Sequence, residues 1–181
     1  MKIKAIIVAV AVAAVFTGCA KKAEPTIATK TDVVTSASFT KDPEVLVKGM
    51  GKDGNWIIGI TDNMTTKDEL VLEGDNFKKA DKKDPTKKVL AGKHQLVLMA
   101  RDDKKVTTAN YTLTAKRLTV KSKNGKIEGG TFKGDVYVES TGFSLEAAKI
   151  DGNIYFANED DKKSFKMDDK SSVIGKQEIK K

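Results

Sequence analysis

From residue 56 onward the chain alternates between short apolar pulses and polar turns. The runs "WIIGI", "ELVLEG", "HQLVLMA", "NYTLTA", "RLTVKS", "GDVYVES" and "GNIYFAN" are rich in alternating or β-branched residues and are bounded by Gly, Asp, Asn or Lys. That pattern predicts strands, not helices. The segment "SLEAAKI", 144–150, has helical composition but is short for a helix, and is read as turn or strand. The segment "EVLVKGMGKDGNWIIGI", 44–60, opens the folded part with an apolar run, a Gly/Asp turn and a second run. It is read as a cap, with Trp56 covering the end of the core.

The pulses repeat. "FKGDVYV" returns eighteen residues later as "IDGNIYF", which places Leu118, Val136 and Ile154 in one column and Val120, Val138 and Phe156 in another. Ile127 pairs with Leu145, Phe132 with Ile150, Gly134 with Gly152 and Tyr137 with Tyr155. After a longer interval the pattern returns as Val173, Gly175 and Ile179. A unit of this length cannot bury its own apolar face, so it is stable only when copies stack into a continuous core. The expectation is an all-β chain, a parallel β-helix (β-solenoid) with turns of about 18 residues. Each strand would then lie about 4.8 Å above its equivalent. Positions six apart, 118, 124 and 130, are Leu, Asn and Gly, which disfavours a left-handed hexapeptide coil and points to a right-handed one. Inward columns leave Tyr137 and Tyr155 facing outward.

The front of the chain differs from the rest. Lys2 and Lys4 precede the apolar run "AIIVAVAVAAVF", 5–16, then Thr17, Gly18 and Cys19. This reads as a signal peptide over 1–18, since the run is shorter than the about 18 apolar residues a permanent span needs. "FTGC" resembles the lipobox of bacterial lipoproteins, in which the cysteine takes a diacylglycerol and the chain is cut just before it. Cys19 is the chain's only cysteine, which fits acylation and leaves no partner for an intramolecular disulfide. Residues 19–42, rich in Thr, Ser, Ala and Lys, read as the lipidated cysteine and a flexible tether, with a capping strand around Val33 and Val34. Residues 43–181 read as one solenoid domain with its regular repeats over 113–180.

The elements "GGTFKGDVYVE" and "AKIDGNIYFA" resemble the repeats of bactofilins, β-helical polymer-forming proteins whose turns run apolar-x-Gly-Asp/Asn-apolar-x-apolar. The likeness covers about residues 113–180. It implies end-to-end assembly without a nucleotide.

The net charge of +8 comes from lysine, with Arg101 and Arg117 the only arginines. Scattered lysines argue against specific nucleic-acid recognition, which favours arginine forks. They concentrate in "EGDNFKKADKKDPTKKVLAGK", 73–93, where Lys78, Lys79, Lys82 and Lys83 form a basic loop able to meet an anionic polymer. His94 is the sole histidine and has no cysteine to join it, so neither a zinc site nor a Cys/His pair is expected; it is read as a surface or turn residue. No nucleophile elbow, P-loop or Rossmann pattern occurs. Asp135, Asp151, Asp102 with Asp103, 159–161 and Asp168 with Asp169 are the acidic candidates for a polysaccharide-acting enzyme. Asp135 stacks over Asn153 and Lys176, which is not a cluster of like charges.

The sequence thus predicts an extracytoplasmic scaffold or interaction module, non-catalytic and without cofactor or metal, held to the membrane through Cys19 and self-associating through its coil ends, with 43–58 capping one end and the lysine-rich tail discouraging stacking at the other. A carbohydrate or anionic wall-polymer binder using Tyr137, Tyr155 and the lysine loop is the alternative, and a β-helical enzyme the third reading.

Overall fold

The computed structural model describes residues 37–75, 78–90 and 92–180. Cys19, Val33 and Val34 lie outside them. The described chain winds into stacked turns whose strands pair in parallel with the turn before and the turn after.

The coil begins with β1 (Ala37–Thr40) and α1 (Pro43–Met50). The next turn holds β2 (Ile57–Ile60), β3 (Met64–Thr65) and β4 (Leu70–Leu72). A hairpin of β5 (Lys78–Ala80) and β6 (Lys88–Leu90) then leaves the coil. Following β7 (Gln95–Val97), a second hairpin, β8 (Met99–Arg101) and β9 (Thr107–Asn110), does the same. From there the turns are regular: β10 (Thr112–Val120), β11 (Lys126–Glu128), β12 (Thr131–Val138), β13 (Ser144–Glu146), β14 (Lys149–Asp151) and β15 (Ile154–Phe156). The short α2 (Glu159–Ser164) precedes the last turn, β16 (Lys166–Met167), β17 (Ser172–Val173) and β18 (Gln177–Ile179).

Three faces result. The first is the six-stranded sheet β1-β2-β7-β11-β13-β16. The long strands β10 and β12 run across a corner, so their first halves join β3, β14 and β17 in the second face, and their second halves join β4, β15 and β18 in the third. Their pairing shifts register between Thr114 and Arg117, which marks that corner. Gly134 sits there at φ +144°, and Gly152 and Gly175 stack above it. A Cβ on Gly152 would run into the Gly134 carbonyl, so the column admits only glycine at this spacing.

The core is a set of apolar columns. Leu70, Leu118, Val136 and Ile154 are register partners in succession, as are Leu72, Val120, Val138 and Phe156, and all eight are at most 1% exposed. Met64, Leu113, Phe132, Ile150 and Val173 form a third column, and Ile58, Leu96, Ile127, Leu145 and Met167 a fourth. Each fully buried Val, Leu, Ile or Phe contributes about 1.5–3 kcal/mol. The expected alternation of inward and outward residues therefore holds across every face.

The expected cap is helical, and two local readings differ from the structure. "EVLV" belongs to a helix, because Asp42 caps it by accepting from the Glu44 N–H, Pro43 presets the first turn, and Leu46 and Met50 lie one turn apart on its buried side. Ala37–Thr40, ahead of residue 43 and inside the expected tether, belong to the coil, since β1 pairs along its whole length with β2. "HQLVLMA" breaks at buried Leu98, where the chain turns out of β7 into the second hairpin. Among the described residues no helix is long and apolar enough to cross a membrane.

Candidate functional site

The third face carries the predicted tyrosines in the middle of three outward columns. The central one runs Val71, Thr119, Tyr137, Tyr155 and Glu178. Tyr137 and Tyr155 are half-buried, with ring centroids 5.0 Å apart and planes inclined by 38°. The guanidinium carbon of Arg117 stands 4.7 Å from the Tyr137 centroid and Lys180 Nζ 4.6 Å from it. Tyr137 is therefore already engaged by two cations and a second ring. Loss of water around the hydroxyl, then the charge of Asp135, raises the Tyr155 pKa above that of a free phenol.

Charges alternate on either side of that column. Glu69, Arg117 and Asp135 succeed one another on one flank, with Arg117 Nη2 2.9 Å from Glu69 Oε2. Asp135 Oδ1 accepts from both the Asn153 N–H and Nδ2, each at 2.9 Å, and Asn153 Oδ1 accepts from the Lys176 N–H at 2.9 Å. The predicted stack Asp135, Asn153, Lys176 is thus a hydrogen-bonded ladder. On the other flank Glu73, Lys121 and Glu139 alternate, followed by Ala157 and Lys180. Each of the first three levels carries one sign on both flanks, Glu69 with Glu73, Arg117 with Lys121 and Asp135 with Glu139, so compensation runs from turn to turn.

The basic loop is the β5–β6 hairpin. Lys82 and Lys83 are exposed at its tip, while Lys78 and Lys79 lie in β5. The tip is held by its own acids: Asp81 Oδ1 accepts from the Lys83 and Asp84 N–H groups, and Asp84 accepts from the Thr86 hydroxyl at 2.6 Å and faces Lys87 Nζ at 3.4 Å. Hydrogen bonds from Thr86 hold the Asp84 carboxyl below the usual range. The hairpin leaves the coil after β4, whereas Tyr137 and Tyr155 lie in later turns, so the two candidate surfaces belong to different levels.

Sequence reasoning missed a third feature, on the first face. Lys126 and Glu128 point away from the core yet are 8% and 7% exposed. Lys126 Nζ lies 2.6 Å from Glu128 Oε2 and 2.8 Å from Glu146 Oε2, and Arg101, reaching in from the second hairpin, lies 2.7 Å from Glu128 Oε1. Burial alone would lower the Lys126 pKa; the hydrogen bonds to Glu128 and Glu146 outweigh it and raise the pKa. The same contact holds Glu146 below its ordinary value. The signal was present as two glutamates eighteen residues apart. Beside this cluster Ala37, Phe39, Ile57, Val97 and Met99 line an open groove of about 470 Å³, with the Phe39 ring lying over Gly59.

His94 corrects its reading as a surface residue: it is 2% exposed. Its Nδ1 is 3.0 Å from Ser122 Oγ, and Ser122 donates to the Gly74 carbonyl at 3.0 Å. Burial pulls its pKa down to about 4. The pair ties three corners of the coil together, and neither side chain opens to solvent. Among the described residues no group of three or more His, Cys, Asp or Glu side chains is placed to hold a metal ion. Asp135 accepts from the Asn153 N–H of the next turn, and Asp151 lies in register with Lys133.

The two ends of the coil are unlike. At the N-terminal end α1 packs on β2 and β4, with Leu46 and Met50 fully buried beneath it. At the C-terminal end no described strand pairs with the outer edges of β16, β17 or β18, and Met167 and Ile174 are 43% and 61% exposed. These features define a β-solenoid with a helix over the second and third faces at one end, where β1 leaves the edge of the first face without a described strand partner, and with no described strand over the other end. Compared with known proteins, the chain matches no family model, no curated protein and no solved structure.

Proposed function

We propose that the protein is a lipid-anchored, extracytoplasmic, non-catalytic scaffold, carried on Cys19, that presents a rigid solenoid and associates with itself through a coil end. The observation that carries this reading is the last turn, where no described strand pairs with the outer edges of β16, β17 and β18 over the apolar columns, a surface that strand-forming proteins ordinarily cover. Two further features support it. The outward charges of the third face and of the Lys126 cluster are spent on one another, as in a structural surface. The "FTGC" lipobox and the bactofilin-like "GGTFKGDVYVE" and "AKIDGNIYFA" repeats suit an anchored, assembling module.

Anchoring is tested by labelling cells with a radioactive or clickable fatty acid. The full chain takes up label and partitions into detergent, and Cys19→Ala does neither; equal labelling of both removes the anchor.

A second reading is favoured by one observation, the Tyr137–Tyr155 pair flanked by Arg117 and Lys180, which together with Lys78, Lys79, Lys82 and Lys83 could hold an anionic wall polymer or glycan. Retention on immobilised glycan that survives Tyr137→Ala/Tyr155→Ala excludes the tyrosine column as the binding surface.

A further inference from the structure

The open end has a definite geometry. The Lys166 and Asp168 N–H groups donate to the Phe143 and Leu145 carbonyls, those of Ser172 and Ile174 donate to the Ala148 and Ile150 carbonyls, and on the third face the Lys176 carbonyl accepts from the Ile154 N–H while the Lys180 N–H donates to the Phe156 carbonyl. In a parallel ladder successive residues direct their backbone groups to opposite sides. The N–H and C=O groups of Met167, Val173, Gln177 and Ile179 therefore point along the coil axis, away from the body of the protein. Three of these four residues, Met167, Val173 and Ile179, also stand above the apolar columns. Ile174 projects beside them.

From this we infer that the C-terminal end is a homodimer interface, in which the last turns of two copies meet tail to tail about a two-fold axis. The inference rests on the self-association proposed above and specifies its surface, its partner and its limit. Three edge strands at fixed spacing are matched only by another solenoid end of the same cross-section. This chain's other end does not match, because α1 occupies the place where the second and third faces would continue. A second copy of the same end does. A two-fold axis across the coil reverses strand direction, so the edges pair antiparallel, and Met167, Val173, Ile174 and Ile179 of each copy are covered by the other.

Charge permits this contact. The lysines expected to discourage stacking, Lys166, Lys170, Lys176 and Lys180, are exposed together with Asp168, Asp169 and Glu178, so the rim presents both signs to a rotated copy. An isologous contact consumes the surface that makes it. Assembly stops at two, with the helix-capped ends pointing outward, and no filament forms.

The test uses the mature chain without residues 1–18 and with Cys19→Ser, so that neither lipid nor a native thiol contributes. Sedimentation equilibrium is expected to show a monomer–dimer equilibrium with no larger species. Ile174→Lys, a change at an exposed position, leaves the thermal midpoint unchanged at protein concentrations where the parent is monomeric and abolishes the dimer at higher ones, whereas Val45→Lys on the outer side of α1 leaves the dimer intact. Under oxidation Ile174→Cys gives covalent dimers and Val45→Cys does not. A strict monomer at about 1 mM protein overturns both this inference and the self-association beneath it. Self-association abolished by Val45→Lys and indifferent to Ile174→Lys leaves the broader reading standing and overturns this one, as does a ladder of species beyond the dimer.

Discussion

Tyr155 stands directly above Tyr137, one turn on, because both occupy the same register position in the paired strands β12 and β15. Their rings touch at 5.0 Å, and Arg117 and Lys180 reach the Tyr137 ring. An aromatic cross-strand pair contributes about 0.2–1 kcal/mol, and an exposed cation over a ring about 0.5–1 kcal/mol more. Tyr137→Ala, which loses both, is expected to destabilise the fold by about 1–2 kcal/mol. Tyr155→Ala, which loses only the ring pair, costs less. Urea midpoints at constant slope measure the difference; equal effects of the two substitutions remove the cations from the account.

The inward column is far more sensitive. Leu118 is fully buried between Leu70 below and Val136 above. Stacked neighbours on both sides cannot collapse into a vacated space without breaking register, so Leu118→Ala is expected near the upper part of the about 2–5 kcal/mol range for such deletions. Ile174→Ala, at a largely exposed position, falls within about 0.5 kcal/mol of the parent. Chemical denaturation of the two variants distinguishes a column-built core from one with looser packing.

The columns were legible because each one repeats a residue class at a fixed interval: Val136, Val138 and Phe132 return as Ile154, Phe156 and Ile150, and the ladders place them opposite one another. Before residue 113 the interval is hidden. Leu70 and Leu118 are neighbours in space but 48 apart in sequence, because two hairpins intervene, and nothing in the apolar pattern alone marks a hairpin as an excursion. The cap was legible as a cap, but its helical conformation was not, for a different reason. "EVLV" fits a strand by composition, and only the Asp42-Pro43-Glu44 start and the i, i+4 pair Leu46 and Met50 tell the helix apart. His94 was placed at the surface because polarity was its only local signal, while its burial depends on Ser122 arriving from a later turn.

The Lys126 cluster yields an asymmetric prediction. Lys126 and Glu128 are both nearly buried, whereas the Glu146 side chain is about half exposed. Lys126→Met leaves Glu128 desolvated with only Arg101 beside it, and is expected to cost about 3 kcal/mol. Glu146→Gln removes a partner that water can replace, at a cost of at most about 1 kcal/mol. Because Glu146 titrates below its ordinary value in the folded protein, its contribution is present at neutral pH and is lost as pH falls through the folded value. Thermal midpoints of both variants at neutral pH, and of the parent against Glu146→Gln on acidification, read these effects.

His94 makes stability fall on acidification from nearer neutrality. Its folded pKa is about 4 against an ordinary value of 6.5, chiefly through burial, with backbone groups of Gly49, Glu73 and Asn55 and the charge of Asp75 opposing that shift. Above pH 6.5 the ring is neutral in both states and adds no pH dependence. Between 6.5 and about 4 the unfolded chain binds the proton and the folded protein does not, so stability declines with falling pH. The gap corresponds to about 3 kcal/mol at most. Below about 4 both states are protonated and this contribution levels off. Asp84, Asp168 and Glu146, all held below their ordinary values, add further loss at the acidic end. His94→Gln keeps a polar group near Ser122 but cannot titrate. Its unfolding free energy should therefore be flat between pH 7 and 5, where that of the parent drops; parallel curves for the two proteins over that interval would show that the buried imidazole carries no proton linkage.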